Sequence, residues 1–134
     1  IMGTAYGETS PVQTFSETLY LDCAIPGSAG LTLPTGQDEL ALYVATGSIE
    51  IADETIGAGV MAVAATGETL RIKAREESRV MVIGGANIGS RHIDWNFVSD
   101  NEARIEQAKR DWKDGNFRGV PGDDEFIPYP ASKK

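Results

Sequence analysis

The sequence predicts an all-β fold, an antiparallel sandwich or barrel, followed by one C-terminal helix and an extended tail. Three features carry that expectation. Between Leu19 and Ile83, short apolar runs rich in β-forming residues recur at roughly regular spacing, each closed by turn residues. A helix start signal stands at Ser99-Asp100-Asn101-Glu102, with apolar residues after it at helical spacing. Beyond Gly115, Gly119-Val120-Pro121-Gly122 and the acidic Asp123-Asp124-Glu125 read as extended chain.

Taken in order, Leu19-Tyr20-Leu21 and Cys23-Ala24-Ile25 flank Asp22, and Pro26-Gly27-Ser28-Ala29-Gly30 then breaks the chain. Leu40 to Val44 is apolar and stops at Thr46-Gly47. Ser48 to Ile51 alternates, placing Ile49 and Ile51 on one face and Ser48 and Glu50 on the other. Asp53-Glu54 turns the chain, Val60 to Ala64 is a further apolar run, and Gly67 punctuates again. Leu70, Ile72 and Ala74 alternate with Arg71, Lys73 and Arg75, a half-exposed strand with a basic outer face. Arg79 to Ile83 reads as a continuous apolar run and is expected to be buried.

The helix is expected over about residues 101–114. Ser99 is placed to accept from the Glu102 amide, and Glu102 to reach back to it. Ile105, Ala108 and Trp112 form one apolar stripe, with Trp112 expected to anchor the helix on the sandwich. Glu106 and Arg110 stand four apart in the favourable order, and Gly115 is placed for a left-handed cap. In the tail, Phe126, Ile127 and Tyr129 are expected to dock on a surface.

At 134 residues a single domain is expected, spanning 1–134. No apolar run approaches the roughly 20 residues that a membrane span needs, so no membrane partner is expected. The single cysteine, Cys23, rules out an internal disulfide and reads as a small buried residue; a reducing compartment, the cytoplasm, is the expected location. Residues 1–70 hold nine acidic side chains and no lysine or arginine, whereas residues 71–134 hold all twelve basic residues and eleven acidic ones. That distribution argues against direct nucleic-acid binding, which needs a basic stripe. An acidic face suits solubility or a basic protein partner. Ile1-Met2-Gly3-Thr4 runs straight into a strand-like segment, and the expectation is a piece of a longer two-domain chain.

The stretch from Gly30 to Ala74 resembles a cupin-type metal barrel in its glycines and departs from it in its ligands. Gly30 and Gly47 bracket the first motif, Gly59 and Gly67 the second. The histidine slots fall on Pro34 and Gly36, or on Leu33 and Thr35 with the longer spacing; the glutamate slot falls on Leu40 and the last histidine on Leu70. None of these supplies the imidazole nitrogen or carboxylate oxygen that a divalent ion requires. The resemblance implies a cupin-type antiparallel β-sandwich or jelly-roll barrel, here expected to lack the chemistry.

Other chemistry is equally sparse. His92 is the only histidine, and Ser90 and Asp94 beside it are expected to project to the same side of an extended segment rather than to converge. Gly84-Gly85-Ala86-Asn87-Ile88-Gly89 follows a strand, but Ser90 to Val98 reads as extended, and a phosphate loop needs a helix N-terminus there. The pairs Asp53-Glu54 and Glu76-Glu77 read as solvated turn residues. No catalytic, cofactor-binding or metal-binding residue is expected in this chain.

A wider likeness lies in Arg91-His92-Ile93-Asp94-Trp95-Asn96-Phe97-Val98-Ser99, Arg104-Ile105-Glu106-Gln107-Ala108-Lys109, Trp112 and Pro121-Gly122-Asp123-Asp124-Glu125-Phe126-Ile127-Pro128. Ala5-Tyr6-Gly7, Ser10-Pro11-Val12, Leu19-Tyr20-Leu21-Asp22 and Ala41-Leu42-Tyr43-Val44 extend it upstream. These segments resemble the C-terminal half of the pirin family. The resemblance implies a bicupin with two β-barrels in one polypeptide, the N-terminal one holding iron or another divalent metal on three histidines and a glutamate. It also implies a C-terminal barrel without ligands, so no cofactor is expected in this domain. Members are described as quercetin 2,3-dioxygenases, and in animals as nuclear transcription cofactors. The expected role is a non-catalytic C-terminal domain that packs on the metal-binding N-terminal cupin domain and supports its activity or partner binding. The alternative is half of a quercetin 2,3-dioxygenase-type enzyme with the metal site in the other half. An isolated half is further expected to form a homodimer through the surface its neighbour would cover.

Overall fold

Two four-stranded antiparallel sheets enclose the core, as the alternating runs require. The computed structural model describes residues 1–65, 67 and 69–131. Its elements are β1 (Thr4–Ala5), β2 (Glu8–Thr9), β3 (Thr18–Ile25), β4 (Gly30–Thr32), β5 (Glu39–Thr46), β6 (Ser48–Ile51), β7 (Glu54–Gly57), β8 (Met61–Val63), β9 (Arg71–Ala74), β10 (Ser78–Gly85), β11 (His92–Asp94), β12 (Phe97–Ser99) and α1 (Glu102–Lys113). One sheet runs β3-β10-β5-β8 and the other β4-β9-β6-β7; β1-β2 and β11-β12 are two-stranded ribbons. Among the described residues no helix is long and apolar enough to cross a membrane.

The chain divides into two units, Ile1–Ile88 and a second that begins at Gly89. In the first, Leu42, Val44, Val80 and Val82 of one sheet meet Ile49, Ile72 and Ala74 of the other, with Ile25 and Leu33 beside them. Each of the larger residues is at most 5% exposed, and burying a side chain of that size stabilises by about 1.5–3 kcal/mol. The basic outer face expected of Arg71 and Lys73 is present, since β9 alternates exposed and buried.

Period-2 geometry overrides the expectation that Arg79 to Ile83 is wholly buried. Val80 and Val82 point inward and are fully buried, but Ile83, on the opposite face of the same strand, is 44% exposed. Asp22 likewise interrupts nothing: β3 is continuous from Thr18 to Ile25. Its carboxylate accepts from Arg79 Nε at 2.8 Å and from Nη2, a bidentate pair across the β3-β10 ladder. Glycine matters where β10 is sandwiched. A Cβ at Gly84 would sit 2.8 Å from Glu39 O, and one at Gly85 2.4 Å from Glu17 O, so these glycines serve strand packing rather than a phosphate loop.

In the second unit, the extended segment expected over Ser90 to Val98 resolves into a hairpin, β11-β12, turning at Trp95-Asn96. The helix cap also differs from expectation. Asn101 is the N-cap, its Oδ1 accepting from the Ala103 amide at 2.9 Å, and Ser99 Oγ accepts from the Asn101 amide at 3.1 Å. At the other end Gly115 has φ +72°, its amide donates to Trp112 O, and the Asn116 amide donates to Asp111 O, a Schellman motif. Glu106 pairs with Lys109 at 2.8 Å, while Arg110 donates to Gln107. Ile105 of the apolar stripe is buried.

Candidate functional site

The slot residues do converge, which a linear motif could not establish. The Leu33 amide donates to Leu70 O and the Ala64 amide to Leu40 O, each at 2.9 Å. Leu33 is buried in the core, and Leu40 and Leu70 pack partly buried against it. Pro34, Thr35, Gly36, Gln37, Leu40 and Ala64 line a cavity of about 40 Å³ there, room on the order of a water molecule. Gln37 Oε1 is buried without a hydrogen-bond partner among the described residues. Asp38 also reaches this cavity, and its carboxylate accepts from the Asn87 amide at 2.9 Å. One carboxylate, one amide and a ring of carbon do not fit a histidine-rich divalent site. Among the described residues no group of three or more His, Cys, Asp or Glu is placed to hold a metal.

The remaining candidates stay apart. His92 is exposed at the start of β11, and Ser90 lies outside the strand. The Asp94 carboxylate is taken by Tyr129 and by Lys109 Nζ, the latter at 3.1 Å. Cys23 is half-buried in β3; burial first, and the Asp22 charge second, push its thiol above the ordinary value, so it is not a thiolate at neutral pH. Glu76 accepts from Ser48 Oγ at 2.8 Å in a turn contact, and Asp53 has φ +68° in the β6-β7 turn.

Two features escaped the sequence reading. One is the outer face of β3-β10-β5-β8, where register places Tyr20, Ile83, Ala41 and Val63 in one row and Met81, Tyr43 and Met61 in the next. Tyr43 is 37%, Met61 52% and Val63 78% exposed. Every second residue of the apolar runs Leu40 to Val44, Val60 to Ala64 and Arg79 to Ile83 points here; only the pairing register reveals that they share a face.

The other is an aromatic cluster in the second unit. Trp112 lies 5.0 Å from Trp95, 5.5 Å from Phe117 and 5.9 Å from Phe126, so its ring partners come from this unit's own turn, helix end and tail. Its Nε1 donates to Ile127 O at 2.8 Å, and Lys113 Nζ sits 4.6 Å from the Tyr129 ring centre. The tail therefore docks through Phe126, Ile127 and Tyr129 on α1 and β11.

The Tyr129 hydrogen bond, and then Lys109, hold the Asp94 carboxyl below its usual range. The bond to Asp94, with burial, pushes the Tyr129 phenol up. A depressed carboxyl contributes above its unfolded value of about 4 and loses that contribution as pH falls; a raised phenol contributes below about 10 and loses it as pH rises. Tail docking is thus expected to be intact between those limits and to loosen beyond each, read as a red shift of tryptophan emission. Tyr129→Phe removes the alkaline limb and weakens the acid one, because Lys109 alone then holds the Asp94 carboxyl down.

The comparisons agree with the fold. A family model, the pirin C-terminal cupin domain, matches residues 20–118. A pirin-like protein of Caulobacter vibrioides is 42% identical over 132 residues, covering 97% of this chain and 46% of that protein. A putative quercetin 2,3-dioxygenase of Vibrio cholerae is 32% identical over 77 residues, 57% of this chain and 27% of its own length. The crystal structure of a quercetin 2,3-dioxygenase from Acinetobacter baumannii superposes with a TM-score of 0.83 at 21% identity, over 98% of this chain and 46% of that one, which shows a shared fold. The chain thus spans about half the length, or less, of these relatives.

Proposed function

This chain belongs to the pirin family, as a C-terminal cupin domain, and from that premise we propose that it is the non-catalytic companion of a metal-binding N-terminal cupin domain. It packs on that domain and supports its activity or partner binding. The observation that carries this reading is the bare apolar face of β3-β10-β5-β8, set against the polar outer face of the other sheet with Arg71 and Lys73. A solvated sheet is polar outside; an apolar outer face is what a covering layer leaves when removed. The match to 46% of the Caulobacter relative supports a companion of comparable size. The similarity to the Vibrio protein favours a second reading, in which the parent is a metal-dependent dioxygenase whose site lies in the other half. A cavity of about 40 Å³ argues against small-molecule binding inside this barrel.

The test mixes this chain with the half of the Caulobacter relative that it does not match, followed by sedimentation velocity. A one-to-one complex is expected, weakened at least about a hundredfold by Tyr43→Asp with Val63→Asp, whose charges would be buried in the interface. Both side chains point away from the core, so the melting temperature of the isolated chain should hold. Absence of a complex would overturn the reading.

A further inference from the structure

The apolar face is not uniform, and its one end carries charge of a single sign. There Glu17, Asp38 and Glu39 rim an open cleft of about 690 Å³ floored by Val63, Ile83 and Ile88. The three acidic residues are exposed, and none of the described residues lining the cleft is basic. The first 70 residues supply no lysine or arginine at all, so this chain brings no cation to the cleft from that half. At the other end of the face the charge is balanced, because Asp22 is paired with Arg79. An occupant that is apolar throughout would desolvate three carboxylates, with the Asn87 amide as partial compensation for Asp38, which opposes binding. An occupant that carries lysine or arginine beside its apolar residues meets both requirements.

We propose that this cleft selects the covering layer, seating an apolar segment of the companion domain that is flanked by lysine or arginine. The proposal rests on the companion reading above and names what that companion must present. Apolar contact on Val63, Ile83 and Ile88 supplies most of the affinity, while the carboxylates set register and association rate.

The experiment repeats the complex with the unmatched half of the Caulobacter relative at about 50 and about 500 mM sodium chloride, a range over which exposed charges become screened. The wild type is expected to bind about tenfold more weakly at high salt. Glu17→Gln with Glu39→Gln should bind at low salt as the wild type does at high salt, losing association rate and salt response together. Asp53→Asn with Glu54→Gln, the same charge change where the β6-β7 turn enters β7, should leave both as they are. A complex that Tyr43→Asp with Val63→Asp abolishes, but that ignores salt and the Glu17 and Glu39 changes, overturns acidic selection and leaves the companion reading standing. No complex under any condition overturns both. Self-association of this chain that the same carboxylate changes disrupt would assign the cleft to a second copy and overturn the proposal. If the companion half is insoluble alone, the two are produced as one chain and the same substitutions are read in the salt dependence of its melting temperature.

Discussion

Alanine at position 47 is expected to destabilise the first unit by about 3 kcal/mol or more. Gly47 joins β5 to β6 with φ +74°, a left-handed conformation that a Cβ disfavours. The added carbon would also lie 2.4 Å from Ser78 Oγ and 2.5 Å from Glu77 O. Neither neighbour can yield easily. Ser78 is 3% exposed, and its hydroxyl accepts from the Ser48 amide at 3.1 Å while lying 2.8 Å from Glu76 O. Moving it would strip a buried hydroxyl of partners that join the β5-β6 and β9-β10 turns. Gly59→Ala separates the two costs, because Gly59 has φ +84° with nothing within 4 Å of the added carbon. It should cost only the backbone share, about 1 kcal/mol. Urea unfolding followed by far-ultraviolet circular dichroism reads both. Equal losses for the two variants would mean that the close approach at Ser78 contributes nothing.

Trp112→Ala should cost the second unit about 3 kcal/mol. This unit has few aliphatic side chains to spare, and among its residues Ile105 is the one buried hydrophobic described. Its stability rests on rings instead. Trp112 touches Trp95, Phe97, Phe117 and Phe126, and its indole N–H holds the tail at Ile127 O. The expected result is loss of amide-exchange protection across β11, β12 and α1, with rapid proteolysis of the 119–131 segment. Trp112→Phe keeps most ring contacts and loses the hydrogen bond, so a smaller cost of about 1 kcal/mol is expected. An alanine variant with full protection would show that the cluster is ornament rather than core.

The residues explain which parts of this molecule were legible in advance. Strands with one buried face announce themselves by alternation, so β6 and β9 came out with the correct faces and nearly the correct ends. The helix was legible because Asn101, Ile105, Trp112 and Gly115 each satisfy a local requirement of helix geometry. Its cap shifted from Ser99 to Asn101 because both side chains can accept an amide hydrogen, and the sequence does not say which residue leaves extended geometry last. The short strands β2 and β4 were missed, because two or three residues are too few to show a period, and β7 was missed because Glu54-Thr55-Ile56-Gly57 carries a single large apolar residue; pairing with a neighbour is what makes them strands. Arg79 to Ile83 was misjudged for a related reason. A run apolar on both faces reads as buried on both, and whether the second face is covered depends on what lies beyond the sheet. The slot residues are a different case. Carbon side chains at Leu33, Leu40 and Leu70 are poor ligands in any fold, and the structure adds that Leu33 is buried in the core with Leu40 and Leu70 packed against it, Leu40 also lining the small cavity.

In the function proposed above, hydrocarbon at the cupin metal slots would stabilise the barrel as a support and leave it without a Lewis acid. The direct test is metal content, measured by plasma mass spectrometry after the purified chain is incubated with ferrous iron, nickel and zinc and then desalted. Less than roughly a tenth of an equivalent is expected, since one carboxylate and one amide cannot retain a divalent ion through desalting. Retention near one equivalent, lost on His92→Ala, would contradict the account and require this chain to be assayed as an enzyme in its own right.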